Sequence, residues 1–295
     1  MIGRRHAVAA HPAERAVGPV QRGAINFLMV CVLGYFLLPL LWVMFAATKS
    51  NRDLFTTFGL WFGHGFELFG NLDDLFARDG GIFARWMLNT AVYSGVAALG
   101  TAITSAMAGY ALAKYRFRGR GLILAVTLGA IMVPPQTLVL PIFFMLSKLE
   151  ATGSPLSVIV PMIPSPIGVY LMKTYAESAV PDELIDAARV DGDGDVRIFW
   201  AIAFRLLVPG VVTVFLLTFV ADWNNFFLPL VMLNDNDLFT VGVGLTNWSQ
   251  VAGAGLDVPY SVVSTGALVS IVPVILVFAV MQRSWQSGLA AGGLK

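Results

Sequence analysis

The chain has 295 residues, 57% hydrophobic and 13% charged, with a formal net charge of +1. Soluble domains carry about 25% charged residues, so this deficit excludes a surface that faces water throughout and requires a lipid-facing exterior. The near-neutral balance leaves no electrostatic footprint for nucleic acid, and the single cysteine, Cys31, excludes an internal disulfide and any cysteine-based zinc spacing.

Residues 1–23 form a basic N-terminal segment through Arg4, Arg5, Arg15 and Arg22. The apolar run that follows is too long for a signal-peptide core, and no small-residue cleavage site ends it. It is read as a retained first span. A helix crosses a ~30 Å hydrocarbon core in about 20 residues. Uncharged stretches of that length occupy residues 23–48, 86–113, 121–147 and 151–172, then 206–233 with only Asp222 inside, and a last one within 258–282. They predict an all-α, polytopic membrane protein with six transmembrane helices over residues 24–282, followed by a tail at 283–295. Residues 238–256 are also uncharged, but they are polar and glycine-rich and are expected to form a loop at the membrane interface.

The third span contains Pro134, Pro135 and Pro141, and the fourth Pro161, Pro164 and Pro166. Each removes a backbone donor and bends or breaks a helix. In the second span Ala98, Ala102 and Ala106 recur at four-residue spacing, which admits a close helix neighbour. Six spans place both termini on one side, together with fourteen of the nineteen Lys and Arg: Arg4, Arg5, Arg15, Arg22, Lys114, Arg116, Arg118, Arg120, Lys173, Arg189, Arg197, Arg205, Arg283 and Lys295. Lys49, Arg52, Arg78, Arg85 and Lys148 fall on the other. The positive-inside rule puts the richer side, with both termini, in the cytoplasm.

The largest internal loop on that side spans about residues 173–205. Pro181 suits a first helical turn, and Asp182 and Glu183 favour its positive end. Leu184, Ala187 and Ala188 are spaced to share a face, and Gly192 and Gly194 can end the helix. A second apolar helix restarts at Val196. The small face beside a glycine turn fits close approach by another protein, and it equally fits a connector packed on its own bundle.

Asp186-Ala187-Ala188-Arg189-Val190-Asp191-Gly192 resembles the EAA motif of bacterial ABC-importer permeases, and its surroundings are similar to the maltose-type, binding-protein-dependent carbohydrate branch. Asp222-Trp223-Asn224-Asn225-Phe226 with Pro229-Leu230, the join from Tyr110 to Gly119, and Gln282-Arg283 with Gly288 to Gly293 resemble further segments of that branch. The resemblance covers about residues 24–295. Three positions depart from the pattern: Asp186 replaces glutamate, Asp193 a small residue, and Phe204-Arg205 a Leu-Pro pair. The resemblance implies a type I ABC importer permease fold in a bacterial inner membrane. It also implies coupling helices seated in a cleft of the ATP-binding subunit, with Glu183, Leu184, Asp186, Ala187, Ala188, Asp191 and Gly192 as the docking residues. The implied partners are a second, related permease (a heterodimer), two copies of the ATP-binding subunit, an extracytoplasmic solute-binding protein and a sugar-like solute.

Asp222 is the only acid within a span, and intramembrane charges face cavities or partners. With Trp223, Asn224 and Asn225 it offers carboxylate, amides and an aromatic face, the groups that bind sugar hydroxyls and rings. A polar knot between subunits is the other reading of the same residues. The chain has no phosphate-binding Gly-x-x-x-x-Gly-Lys-Ser/Thr loop, so ATP and Mg are expected on a separate ATPase and no cofactor on this chain. His6, His11 and His64 have no metal spacing. A secondary, ion-coupled transporter is the main alternative, but it would need several buried acids or broken helices in repeated halves. An ABC permease for a non-sugar solute is another. A membrane hydrolase would need an aspartate pair or H-E-x-x-H, and neither is present.

Overall fold

The computed structural model describes residues 19–293, with side chains over residues 21–281. Arg4, Arg5, Arg15, Lys295 and the side chains of the 283–295 tail lie outside the described residues, as do those of the Gln282 to Gly293 resemblance. The described chain is helical, without strands.

Helix α1 (Pro19–Ala47) is followed by two short helices, α2 (Asn51–Thr56) and α3 (Leu68–Ala77), and a 3₁₀ turn (Arg78–Gly80). The 33-residue α4 (Ile82–Lys114) then returns along the molecule. Next come α5 (Arg120–Ile131) and α6 (Pro135–Lys148), and α7 (Pro155–Met162) and α8 (Pro166–Ala179). The loop helices are α9 (Asp182–Val190) and α10 (Asp195–Ile198), the latter joined by a π turn (Phe199–Ala203) to α11 (Phe204–Trp223). The chain ends with α12 (Phe227–Met232), a 3₁₀ turn (Asn236–Leu238), α13 (Val241–Gly253) and α14 (Tyr260–Gly293).

Four helices are individually long and apolar enough to cross a membrane: residues 21–47, 82–114, 195–223 and 260–281. The third and fourth expected spans are bent pairs. Helices α5 and α6 meet at 103° and α7 and α8 at 42°. The breaks fall at the prolines: Pro134 caps α6 in an extended conformation with Pro135 at its start, and Pro164 and Pro166 flank the second break. Counted as one span each, the pairs complete six.

The small-residue stripe of α4 acts as anticipated. Ala98, Ala102 and Ala106 are wholly buried. At Gly109 a β-carbon would lie 2.6 Å from the Lys173 amide nitrogen, and at Gly168 one would lie 2.5 Å from Ser105 Oγ. Helices α4 and α8 therefore cross nearly backbone to backbone, the packing that small residues permit where no water drives association.

Two expectations fail. Residues 238–256 are not a loop, because α13 folds there as 13 residues, about 20 Å and too short to cross. Its glycines are what seat it: a β-carbon on Gly244 would fall 2.2 Å from the Trp86 ring, and Trp248 lies 4.7 Å from Trp86 by ring centroids. The fifth span is not continuous to residue 233. Helix α11 stops at Trp223, one residue after Asp222, and α12 begins after the Asn224–Phe226 break. The side-chain amide of Asn224 donates back to the Val220 carbonyl at 2.7 Å, closing the helix end instead of extending it.

The α13 end of the bundle is clipped by α4 side chains. Trp86 Nε1 donates to Asn236 O, Asn89 to Asp237 O and Phe239 O, and Tyr93 to Leu238 O. The opposite end carries α9 and α10.

Candidate functional site

Helix α9 is built from the sequence signals expected of it. Pro181 stands at the N-cap, Asp182 and Glu183 occupy the first turn and Arg189 the last. Its end is a Schellman motif: the Gly192 N–H donates to Arg189 O at 3.1 Å and the Asp193 N–H to Ala188 O at 2.9 Å, with Gly192 at φ +88. Glycine takes this left-handed conformation without the β-carbon penalty.

The loop is fastened to the bundle on one side. Lys114 Nζ, at the end of α4, donates to Asp182 Oδ1 at 2.8 Å, and this ammonium holds the Asp182 carboxyl below the usual carboxylate range. Arg189 pairs with Asp195 at 3.2 Å across the turn and lies over the Tyr115 ring at 5.9 Å. The Asp195 carboxylate raises its guanidinium above the ordinary value. Arg197 pairs with Asp193 at 3.2 Å. Beneath these pairs Ile185 and Ala188 are buried in one apolar core with Ala102, Ala106 and Tyr110 of α4, Met172 and Ala176 of α8, and Leu207 and Val214 of α11.

This burial corrects the expected face. Leu184, Ala187 and Ala188 do not present one surface: Ala188 turns inward with Ile185, while Leu184 and Ala187 point out. The spacing i, i+3 pairs Ile185 with Ala188 as well as it pairs Leu184 with Ala187, and the Ile185 row is the one that packs into the core. The outward face holds Glu183, Leu184, Asp186, Ala187, Val190 and Asp191, beside the exposed Gly192. Among them Val190 is 88% exposed, and Val196 across the turn is 75% exposed. Sequence reasoning missed both valines, and also Trp200, exposed on the π turn. The signal for Val190 was present, as an apolar residue on the polar side of a nine-residue helix. Glu183 and Asp191 have no ion pair among the described residues, and Asp186 reaches Arg189 only at 3.8 Å. Beside this face a groove of about 190 Å³ is lined by Met107, Tyr110, Ala111, Tyr115, Asp195, Val196, Phe199 and Trp200.

The four residues proposed for a solute path separate. Trp223 is buried against Ala98 and Phe219 and belongs to the packing core, because the i, i+4 row of α11 that holds Phe219 faces α4. Asn224 is exposed, and Asn225 Oδ1 accepts weakly from the Leu228 N–H at 3.4 Å. Asp222 is half-buried at the helix end, and its Oδ2 is buried with no hydrogen-bond partner among the described residues.

Residues 81–287 match the family described as binding-protein-dependent transport system inner membrane component. The chain is 33% identical over 272 residues to the arabinooligosaccharides transport system permease protein AraQ of Halalkalibacterium halodurans, covering 92% of this chain and 95% of that protein. It is 29% identical over 257 residues to the lactose transport system permease protein LacG of Rhizobium radiobacter, covering 85% and 88%. In structure it resembles a chain of a bacterial ABC transporter involved in the import of the acidic polysaccharide alginate. The TM-score is 0.75 at 23% identity over 90% of this chain and 98% of that one, which shows a shared fold. From the glycine before α4 into α14, then, the chain belongs to the binding-protein-dependent transport system inner membrane components, as a membrane-spanning permease subunit of an ABC importer and not an enzyme.

Proposed function

We propose that this chain is one of two related, non-identical permeases of a sugar importer, driven through the outward face of α9 by an ATP-binding subunit that carries the ATP and Mg. The observation that carries the reading is the uncovered apolar surface of Leu184, Ala187, Val190 and Val196 on a loop whose other side is fixed to the bundle core. Exposed apolar residues grouped beside acidic ones on a water-facing segment mark a protein contact. The Lys and Arg distribution supports a cytoplasmic position for α9 and both termini, with a solute-binding protein meeting the α13 end and two ATP-binding subunits meeting the other. Relatives that are permeases for arabinooligosaccharides and lactose support a sugar or oligosaccharide as the solute. Asp222 and Asn225, at the break between α11 and α12, line the path, and the unpartnered Asp222 Oδ2 accepts from water or a solute hydroxyl.

The test is placed at Ala187, which points outward, and not at Ala188, which packs inward. Ala187→Arg overfills the contact at a cost of about 1–3 kcal/mol, which weakens docking by roughly 5- to 150-fold and lowers ATP-dependent uptake in proteoliposomes accordingly. A cysteine placed by Val190→Cys is expected to crosslink to the ATP-binding subunit. Undiminished uptake by a stably inserted Ala187→Arg protein would leave α9 as a connector only.

A further inference from the structure

The segment joining α1 to α3 is aromatic where a water-facing connector is charged. Residues 54–66 contain no Asp, Glu, Lys or Arg, and Phe58, Trp61, Phe62, Phe66 and Phe69 are between 46% and 73% exposed. The rings of Trp61, Phe62, Phe66 and Phe69 form one surface with Phe45. Phe45 of α1 lies 6.1 Å from Trp61 and 4.9 Å from Phe62, and Phe62, Phe66 and Phe69 follow at 6.3 and 6.1 Å.

The backbone beneath is tightly held. Lys49 is 1% exposed, and its Nζ donates to the Phe58 carbonyl at 2.7 Å. The His64 N–H donates to Asp53 Oδ2 at 3.1 Å, and His64 Nδ1 sits 2.8 Å from Asp53 Oδ1. The Glu67 N–H donates to Thr48 O at 2.8 Å, and the Asn71 amide to Ala47 O and Lys49 O, both at 2.9 Å. The rings therefore project from a fixed platform.

The level of the platform follows from α1. Gly59 lies against Trp42, where a β-carbon would come within 3.1 Å of the indole nitrogen. Trp42 precedes the end of α1 by about 7.5 Å, at 1.5 Å per residue. Counted from Gly23, just past Arg22, about 20 residues of hydrocarbon end near Val43. The aromatic surface thus lies alongside the hydrocarbon boundary. None of the spanning window of α1 is buried in the described bundle, so the rings continue an apolar side that this chain leaves uncovered.

We infer that residues 58–69 form a shelf seated in the headgroup–acyl boundary of the leaflet at that end of α1, tying this peripheral helix to lipid. Trp61 combines the apolar body and polar edge that concentrate at that depth, and the phenylalanines supply the apolar face that an interfacial element sinks by about 5–10 Å. A face for a soluble protein would point away from the bilayer, whereas Trp61 and Phe62 lie against Phe45 in the last turn of α1.

The experiment uses the full chain with Cys31→Ser in phosphatidylcholine–phosphatidylglycerol vesicles, carrying a nitroxide at Phe58→Cys, Phe62→Cys or Phe66→Cys, with Asp73→Cys as the aqueous reference. Collisions with oxygen relative to a water-soluble nickel chelate are expected to be several-fold higher at the three shelf positions than at 73. Equal ratios would overturn the inference. So would protection from nickel that arises only when the solute-binding protein is added, which would assign the rings to a protein contact. Independently, Trp61→Phe should remove part of the tryptophan emission quenched by lipids brominated near the headgroup end of the acyl chain; no change in quenching would also overturn it.

Discussion

Glycine serves two unrelated purposes in this chain, and single substitutions separate them. At Gly109 the obstacle is space, because a β-carbon would meet the Lys173 amide nitrogen and Met172 Cβ, both at 2.6 Å. At Gly192 nothing lies within 4 Å, and only the φ of +88 resists a side chain. Gly109→Ala should therefore destabilise the whole bundle by about 1–3 kcal/mol, visible as a lower melting temperature in detergent. Gly192→Ala should cost about 1 kcal/mol of local strain and leave that melting temperature nearly unchanged. Equal losses from both would show that the α4–α8 crossing is less tight than its geometry. Of these two glycines only Gly192 was legible beforehand, since a helix-ending glycine announces itself by position, while close approach between distant helices leaves no local mark.

Among the elements, α13 shows most clearly how composition misleads. Its polar and glycine-rich sequence reads as loop because glycine lowers helix propensity by about 1 kcal/mol per residue. The bulk of Trp86 and Trp248 supplies what propensity lacks, and Gly244 is the recess that admits Trp86. Gly244→Val should lift α13 from α4. Hydrogen exchange of residues 241–253 is then expected to quicken while α4 stays protected; unchanged protection of α13 would mean that the tryptophan contact does not hold it. The same blindness to tertiary contact affected α9. Its existence, caps and glycine stop were readable from residues 181–192, but which of two i, i+3 rows faces inward was decided by Ile185 fitting the core among α4, α8 and α11. At the α11 end the sequence located a polar cluster, and only the helix break could separate the buried Trp223 from the half-buried Asp222.

For the whole molecule, the span count made the architecture legible, and the 103° elbow between α5 and α6 was not anticipated. The prolines marked a break without fixing its angle. Arg118 and Asp191 lie at the α9 end, and Asp73 and Asn247 at the α13 end. Single cysteines at the first two, with Cys31 replaced, should react only with reagent on the cytoplasmic side, and those at the second two only from outside. Labelling of Asn247→Cys from the cytoplasm would discard the six-span arrangement.

The shared core under α9 has a mechanical meaning. Ile185 and Ala188 are embedded among the same side chains that hold α4, α8 and α11 together, and Lys114 bolts the start of the loop to the tip of α4. A densely packed interior deforms little, so a push against Val190 is not absorbed within the loop. Under the proposed docking, it would displace α4, α8 and α11 together, since they share one core with Ile185 and Ala188. The proline breaks near residues 132–134 and 163–165 would then be the joints at which the bundle flexes.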